Sequence, residues 1–295
     1  MFHFLWRLVS GSMSEFVNDR GARLGAALAF YSTFSVAPLL VISIGIASLF
    51  FGADAVQGQL KQQLDGLVGE DSAEGIQAMI TAASKEKHVG LVSSILGVVA
   101  LLFGATGVFV ELKDSMNTIW GVKVKPGLGV WGLVKDRALS FAMVLSIGFL
   151  LLVSLCLSTL LSTISHWIDV PVLSPQIVDY VSSSVVIPIL FMFIFKFLPD
   201  AHVKWQDVWI GAIVTSLLFT FGRYLIGLYL AKAAVSSAYG AAGSLAVFLL
   251  WTYYSSQILF FGAEFTQVYA QLRGHHIVPT EHAVTAEPEE QPDGT

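Results

Sequence analysis

Several windows of 20 or more residues in this chain contain no Asp, Glu, Lys or Arg. A helix crossing the hydrocarbon core of a bilayer needs about 20 such residues, and in lipid only helices and closed barrels satisfy their own backbone polar groups. Composition points the same way: 55% of the 295 residues are hydrophobic and 13% are charged, against about 25% charged in an average soluble domain. The fold class that follows is all-α, a polytopic membrane protein with six transmembrane helices plus short amphipathic interfacial helices.

The apolar windows place spans near 25–51, 89–110, 138–163, 177–198, 207–231 and 243–270, so that residues 21–273 form one six-span membrane domain. Arg7, Arg20 and Arg23 precede the first span; Lys113, Lys123, Lys125, Lys135 and Arg137 fill the second connector; Lys196, Lys204 and Arg273 lie on the same side. The opposite side holds only Lys61, Lys85, Lys87 and Lys232, with Arg223 inside a span. By the positive-inside rule both termini are cytoplasmic. Residues 1–20, opening MFHFLWRLVSGSMSEF, space their apolar side chains as an amphipathic helix lying on the membrane surface. The external connector 52–88 contains two further segments of helical spacing, and residues 274–295 are polar and proline-rich enough to predict a disordered tail. Much of the acidity behind the net charge of −5 sits in 54–86 and in that tail, and there is no basic patch, so nucleic acid is not an expected partner. The single cysteine, Cys156, excludes an intramolecular disulfide and reads as a small core residue.

Polar residues inside the spans are the candidates for function. On a helix Leu24, Leu28, Tyr31, Ser35 and Pro38 form one stripe, with Phe30 and Phe34 on the other side. Pro38 cannot donate to the carbonyl of Phe34 and predicts a kink. Such a face either packs tightly against protein or lines a cavity. In the last span Tyr253, Gln257 and Glu264 share a face, and an ionised Glu264 costs on the order of several kcal/mol unless paired, hydrated or protonated. Arg223 is not its expected partner: at about 1.5 Å per residue it lies roughly 25 Å from the cytoplasmic start of its span, whereas Glu264 is near the cytoplasmic end of its own. Arg20, Arg23, Lys113 and Arg137 are better placed by depth, and Arg223 reads as a side chain snorkelling to the outer surface. Glu111, Asp114 and Asn117 recur at three-residue spacing on a helix that prolongs the second span, and with Trp120 they read as an interfacial anchor facing acidic phospholipids, or as a docking surface.

The blocks LAFYSTFSVAPLL, GATGVFVELKDSMNTIWGV, FLPDAHVKW with DVWIGAIVTSLLFTFGRYLIGLYL, and YGAAGSLAVFLLWTYYSSQILFFGAEFTQVYA resemble, in order, the signature blocks of the YihY/BrkB family of bacterial inner-membrane proteins. The resemblance covers about residues 15–273. It implies a multi-pass protein of the bacterial inner membrane with six spans and cytoplasmic termini. The family's biochemical function is unsettled: some members carry the old name ribonuclease BN, regarded as a misassignment, while others are linked to serum resistance or proposed as exporters of envelope lipids. No catalytic residues carry over.

The residues themselves speak against a nuclease, because His3, His88, His166, His202, His275, His276 and His282 are scattered over both sides of the membrane and no metal-ligand constellation appears. No phosphate-binding glycine loop or Ser/His/Asp set is present either. The expectation is therefore a protein without catalytic residues, metal or cofactor. It reads as a transporter or flippase-like protein for a lipid-derived or other amphiphilic envelope molecule that does not hydrolyse ATP; the alternative is a non-transporting scaffold or envelope-integrity factor. Membrane lipids are the expected partners, and small residues on several helix faces permit homo-oligomers.

Overall fold

A computed structural model of the chain describes residues 2–35, 107–125, 175–233 and 243–286. Six helices occupy most of them. Helix α1 runs Phe2–Asn18, α2 is described over residues 21–35 and α3 over 107–119. Helix α4 is Pro175–Phe197 with Pro188 inside it, α5 is Trp205–Ala233, and α6 is Gly243–Leu272. Two of these are long and apolar enough to cross a membrane, over Trp205–Tyr229 and Leu245–Leu272, and Val185–Phe197 is a shorter apolar helix. The expected spans 89–110 (to residue 106) and 138–163, most of the span 25–51, and the connector 52–88 lie outside the described residues, as do Pro38 and Arg137.

Helix α5 packs between α4 and α6, and α1 lies along α6. The faces follow from the apolar spacing. Helix α1 buries Leu8 and Ser12 while Leu5, Trp6, Val9, Met13 and Val17 stay exposed, an apolar face suited to a lipid interface. In α2, Leu24, Leu28 and Ser35 are buried and Phe30 and Phe34 are exposed. The chain turns from α1 into α2 at Arg20, whose φ of 55° is the left-handed corner that ends one helix and aims the next.

The contact between α5 and α6 depends on glycines that let a threonine from the facing helix come close. A Cβ on Gly211 would collide with Thr266, and one on Gly262 with Thr215. Each threonine turns its hydroxyl back onto its own helix: Thr215 Oγ1 donates to the Gly211 carbonyl and Thr266 Oγ1 to the Gly262 carbonyl, both at 2.7 Å. The two notches fix an antiparallel register, which continues where Gly222 meets Ile258 and Tyr254.

The fold is mostly helical but not purely so. Strand β1 (Val122–Val124) pairs antiparallel with β4 (Ala283–Thr285), and β2 (Ala201–His202) with β3 (Val278–Pro279). This corrects the expectation of a disordered tail from residue 274: the segment to residue 286 is built onto the helical body. Its polarity misled because the order comes from partners distant in sequence, namely β1, β2 and the backbone bond from Thr280 N to the Asp200 carbonyl at 2.9 Å.

Candidate functional site

Glu264 lies a little over two turns from the end of α6 with no solvent exposure; among the described residues no standing donor meets either carboxyl oxygen, and its polar contact is with the carboxyl of Asp19. Its neighbours Phe260, Ala263 and Phe265 are buried apolar residues. Leaving such oxygens unmet costs about 1–3 kcal/mol each, and more for a charged group. The charges that bear on Glu264 are those of Asp19 and Glu15, both acidic. Of the cations placed at its depth by the sequence, Arg20, Arg23, Lys113 and Arg137, the last lies outside the described residues and none of the other three forms an ion pair with it. Arg20 and Arg23 are exposed, and Lys113 is committed to Asp200 at 3.0 Å.

Asp19 occupies the corner between α1 and α2, where the helices leave its carboxyl half-buried beside Glu264. Burial, and then the Glu15 charge, pushes the Asp19 carboxyl from 3.8 up to about 6, with its contact to Glu264 pulling the other way. Three acids from α1, the α1–α2 corner and α6 therefore share one region. Sequence reading found Glu264 but missed Glu15 and Asp19. They sit in the amphipathic leader, where a surface carboxylate is ordinary, and only the packing of α1 along α6 makes them neighbours.

The other predicted polar residues divide. Gln257, half-buried on α6, has an amide nitrogen without a partner among the described residues and lies against Gly25, where a side chain would collide with it. Tyr31 and Ser35 both face Gly107 at the start of the described part of α3: a Cβ there would stand 3.4 Å from Ser35 Oγ and 3.6 Å from the Tyr31 ring. Ser35 is buried and Tyr31 is 43% exposed. Tyr253 is exposed and Arg223 half-buried. Because Gly222 packs at Ile258 and Tyr254, Arg223 is offset from Glu264 by roughly 9 Å or more along the helix, and no ion pair joins them.

The set Glu111, Asp114, Asn117 and Trp120 does not form one interfacial face. Asp114 is exposed and Glu111 half-buried, its carboxyl held above the usual range by burial and then by Asp114. Asn117 is 4% exposed and clamps Asp200: its Nδ2 donates to Asp200 Oδ2 at 3.0 Å, and its Oδ1 accepts from the Asp200 N–H at 2.7 Å. Trp120, read as an anchor, is 1% exposed and belongs to the main apolar core with Met116 and Ile119. Three-residue spacing drifts around a helix, so Asn117 has rotated onto the buried side.

A further pair escaped the sequence reading. Asp207, in the first turn of α5, is fully buried, and His275 Nδ1 donates to its Oδ2 at 2.7 Å. His275 is placed by the end of α6: Gly274, at φ 73°, turns the chain so that the His275 N–H reaches the Ala270 carbonyl and the Gly274 N–H that of Gln271, both 2.9 Å. Among the described residues no group of three or more His, Cys, Asp or Glu is arranged to hold a metal ion.

The profile of the family described as virulence factor BrkB matches residues 12–286. Curated relatives carry the name UPF0761 membrane protein. One from Albidiferax ferrireducens is 25% identical over 276 residues, covering 88% of this chain and 62% of the relative. One from Pseudomonas aeruginosa is 27% identical over 257 residues, covering 84% and 59%. One from Legionella pneumophila is 26% identical over 285 residues, covering 92% and 65%. The chain thus spans about 60% of the length of these relatives. No solved structure matches.

Proposed function

The chain belongs to the BrkB family of membrane proteins, and from that premise we propose that it is an inner-membrane transporter or flippase-like protein, with six spans and cytoplasmic termini, for a lipid-derived or other amphiphilic envelope molecule. The observation that carries this reading is Glu264, a fully buried carboxyl whose charged neighbours among the described residues are the acids Asp19 and Glu15, with its polar contact made to Asp19. Ionisable residues inside membrane helices are expensive and mark ion or proton pathways. A site of three acids is one that takes up and releases a proton or another cation, and such a site can couple movement to a gradient without ATP hydrolysis. The buried or half-buried polar side chains of Ser35 and Gln257 continue from it along α2 and α6. Membrane lipids are the partners in this reading; nucleic acid and catalytic chemistry have no role in it.

The test uses purified protein in proteoliposomes carrying a fluorescent phospholipid, with and without an imposed pH gradient. Transbilayer movement that requires the protein and responds to the gradient is the expected result. No movement under either condition, with folded protein, removes phospholipid flipping. A second reading, a scaffold or envelope-integrity factor that moves nothing, draws on the Lys113–Asp200–Asn117 clamp and the glycine–threonine notches, where polar groups only hold helices together. It predicts that Glu264→Gln lowers the melting temperature in detergent while no solute moves in a purified system.

A further inference from the structure

Where the apolar stretch Leu245–Leu272 ends, a cavity of about 440 Å³ opens between the end of α3, the end of α6 and the C-terminal ribbon. This is the size range of small-molecule sites. It lies outside the Glu264 region and shares no residue with it. Its walls carry Trp120, Gln267, Gln271, His275, His276 and Thr285, and no Asp or Glu lines it. Two amides, a hydroxyl and two imidazoles on these walls can each donate a hydrogen bond.

Two of the lining residues are set up by the fold. Trp120 packs beneath the cavity at 1% exposed, and its Nε1–H has no acceptor among the described residues. His275 is fixed by Asp207: an ionised carboxylate only accepts, so Nδ1 carries the proton toward Oδ2 and the second ring nitrogen is left for the cavity. His276 adds a second imidazole. Gly121 and Gly274, at φ 61° and 73°, shape the turns on either side.

The geometry points to an anion site for a phosphate monoester, held by Gln267, Gln271, His275 and His276 beside Trp120. Its two sources are a soluble phosphorylated metabolite and the headgroup of an acidic lipid. The cavity is one residue from the end of the apolar span, so a headgroup reaches it as readily as a solute does.

The experiment takes the purified full chain at constant ionic strength. Glycerol 3-phosphate is titrated in detergent by calorimetry, and the melting temperature is compared in nanodiscs of phosphatidylcholine with and without phosphatidic acid. The principal variant is Gln271→Ala with His276→Ala, both exposed, so that folding is preserved; His275→Gln is the second. Saturable binding of glycerol 3-phosphate that weakens at least tenfold in the double variant supports the site with a soluble ligand. Stabilisation by phosphatidic acid alone, lost in the double variant, supports it with a lipid ligand. Binding of neither, or equal binding by wild type and the double variant, overturns it. Lipid movement in proteoliposomes is a separate readout, so loss of this site leaves the transport reading standing and the reverse.

Discussion

At the scale of single residues, a buried charge means different things depending on what meets it. Asp200 is met on two sides, by Lys113 Nζ at 3.0 Å and by both polar atoms of the Asn117 side chain. Removing one member of such a set costs about 3–5 kcal/mol when fully buried. Asp200 keeps some exposure, so Asp200→Ala is expected to destabilise by about 2–3 kcal/mol, and Asp200→Asn by less, as read by thermal melting in detergent. Asp19 is met by acids. Its carboxyl is raised to about 6 from 3.8, so between those values the folded chain binds more protons than the unfolded one. Its contribution to stability is therefore full below about pH 4 and is lost as pH rises through about 6. The melting temperature of wild type should fall across that window, and Asp19→Asn should remove part of the fall; an unchanged slope in the variant would show that Asp19 is not the titrating group. Glu264 was legible in the sequence because one acid in an apolar run is conspicuous. Asp19 and Glu15 were not, because nothing local distinguishes them from surface carboxylates.

At the scale of elements, hydropathy marks where helices are but not how they meet. The windows 177–198, 207–231 and 243–270 fall within two residues of Pro175–Phe197, Trp205–Ala233 and Gly243–Leu272 at every end, because twenty-odd apolar residues have one good solution in lipid. The register of α5 on α6 is set instead by Gly211 and Gly262 receiving Thr266 and Thr215, a pairing across 55 and 47 residues of sequence that no spacing rule announces. A threonine is stiff at χ1 and already bonded to its own helix, so it cannot step aside. Gly211→Ala and Gly262→Ala should each cost about 1–3 kcal/mol, seen as a lower melting temperature. Gly25→Ala meets only the mobile end of Gln257 and should cost less than either; equal losses at all three would refute the notch account. For α3 the sequence misassigned the faces, since Trp120 and Asn117 look interfacial by type and are buried by packing.

At the scale of the whole molecule, the helices carry at one end a small body made from the end of α3, the α4–α5 turn and the C-terminal segment. Its ribbons tie residues 122–124 to 283–285 and 201–202 to 278–279, so the last described strands fasten three distant parts of the chain. Ending the chain after His276 should lower the melting temperature and leave membrane insertion intact, which fractionation and melting together would check. The acids Glu15, Asp19 and Glu264 lie where α1 meets α6, and the role proposed for this group is to couple movement across the membrane to a gradient. The most direct test is the gradient-dependent part of phospholipid movement in proteoliposomes of Glu264→Gln, measured beside wild type with folding checked by melting. In Glu264→Gln this part should disappear while the protein remains folded; movement equal to that of wild type would show that Glu264 does not couple it.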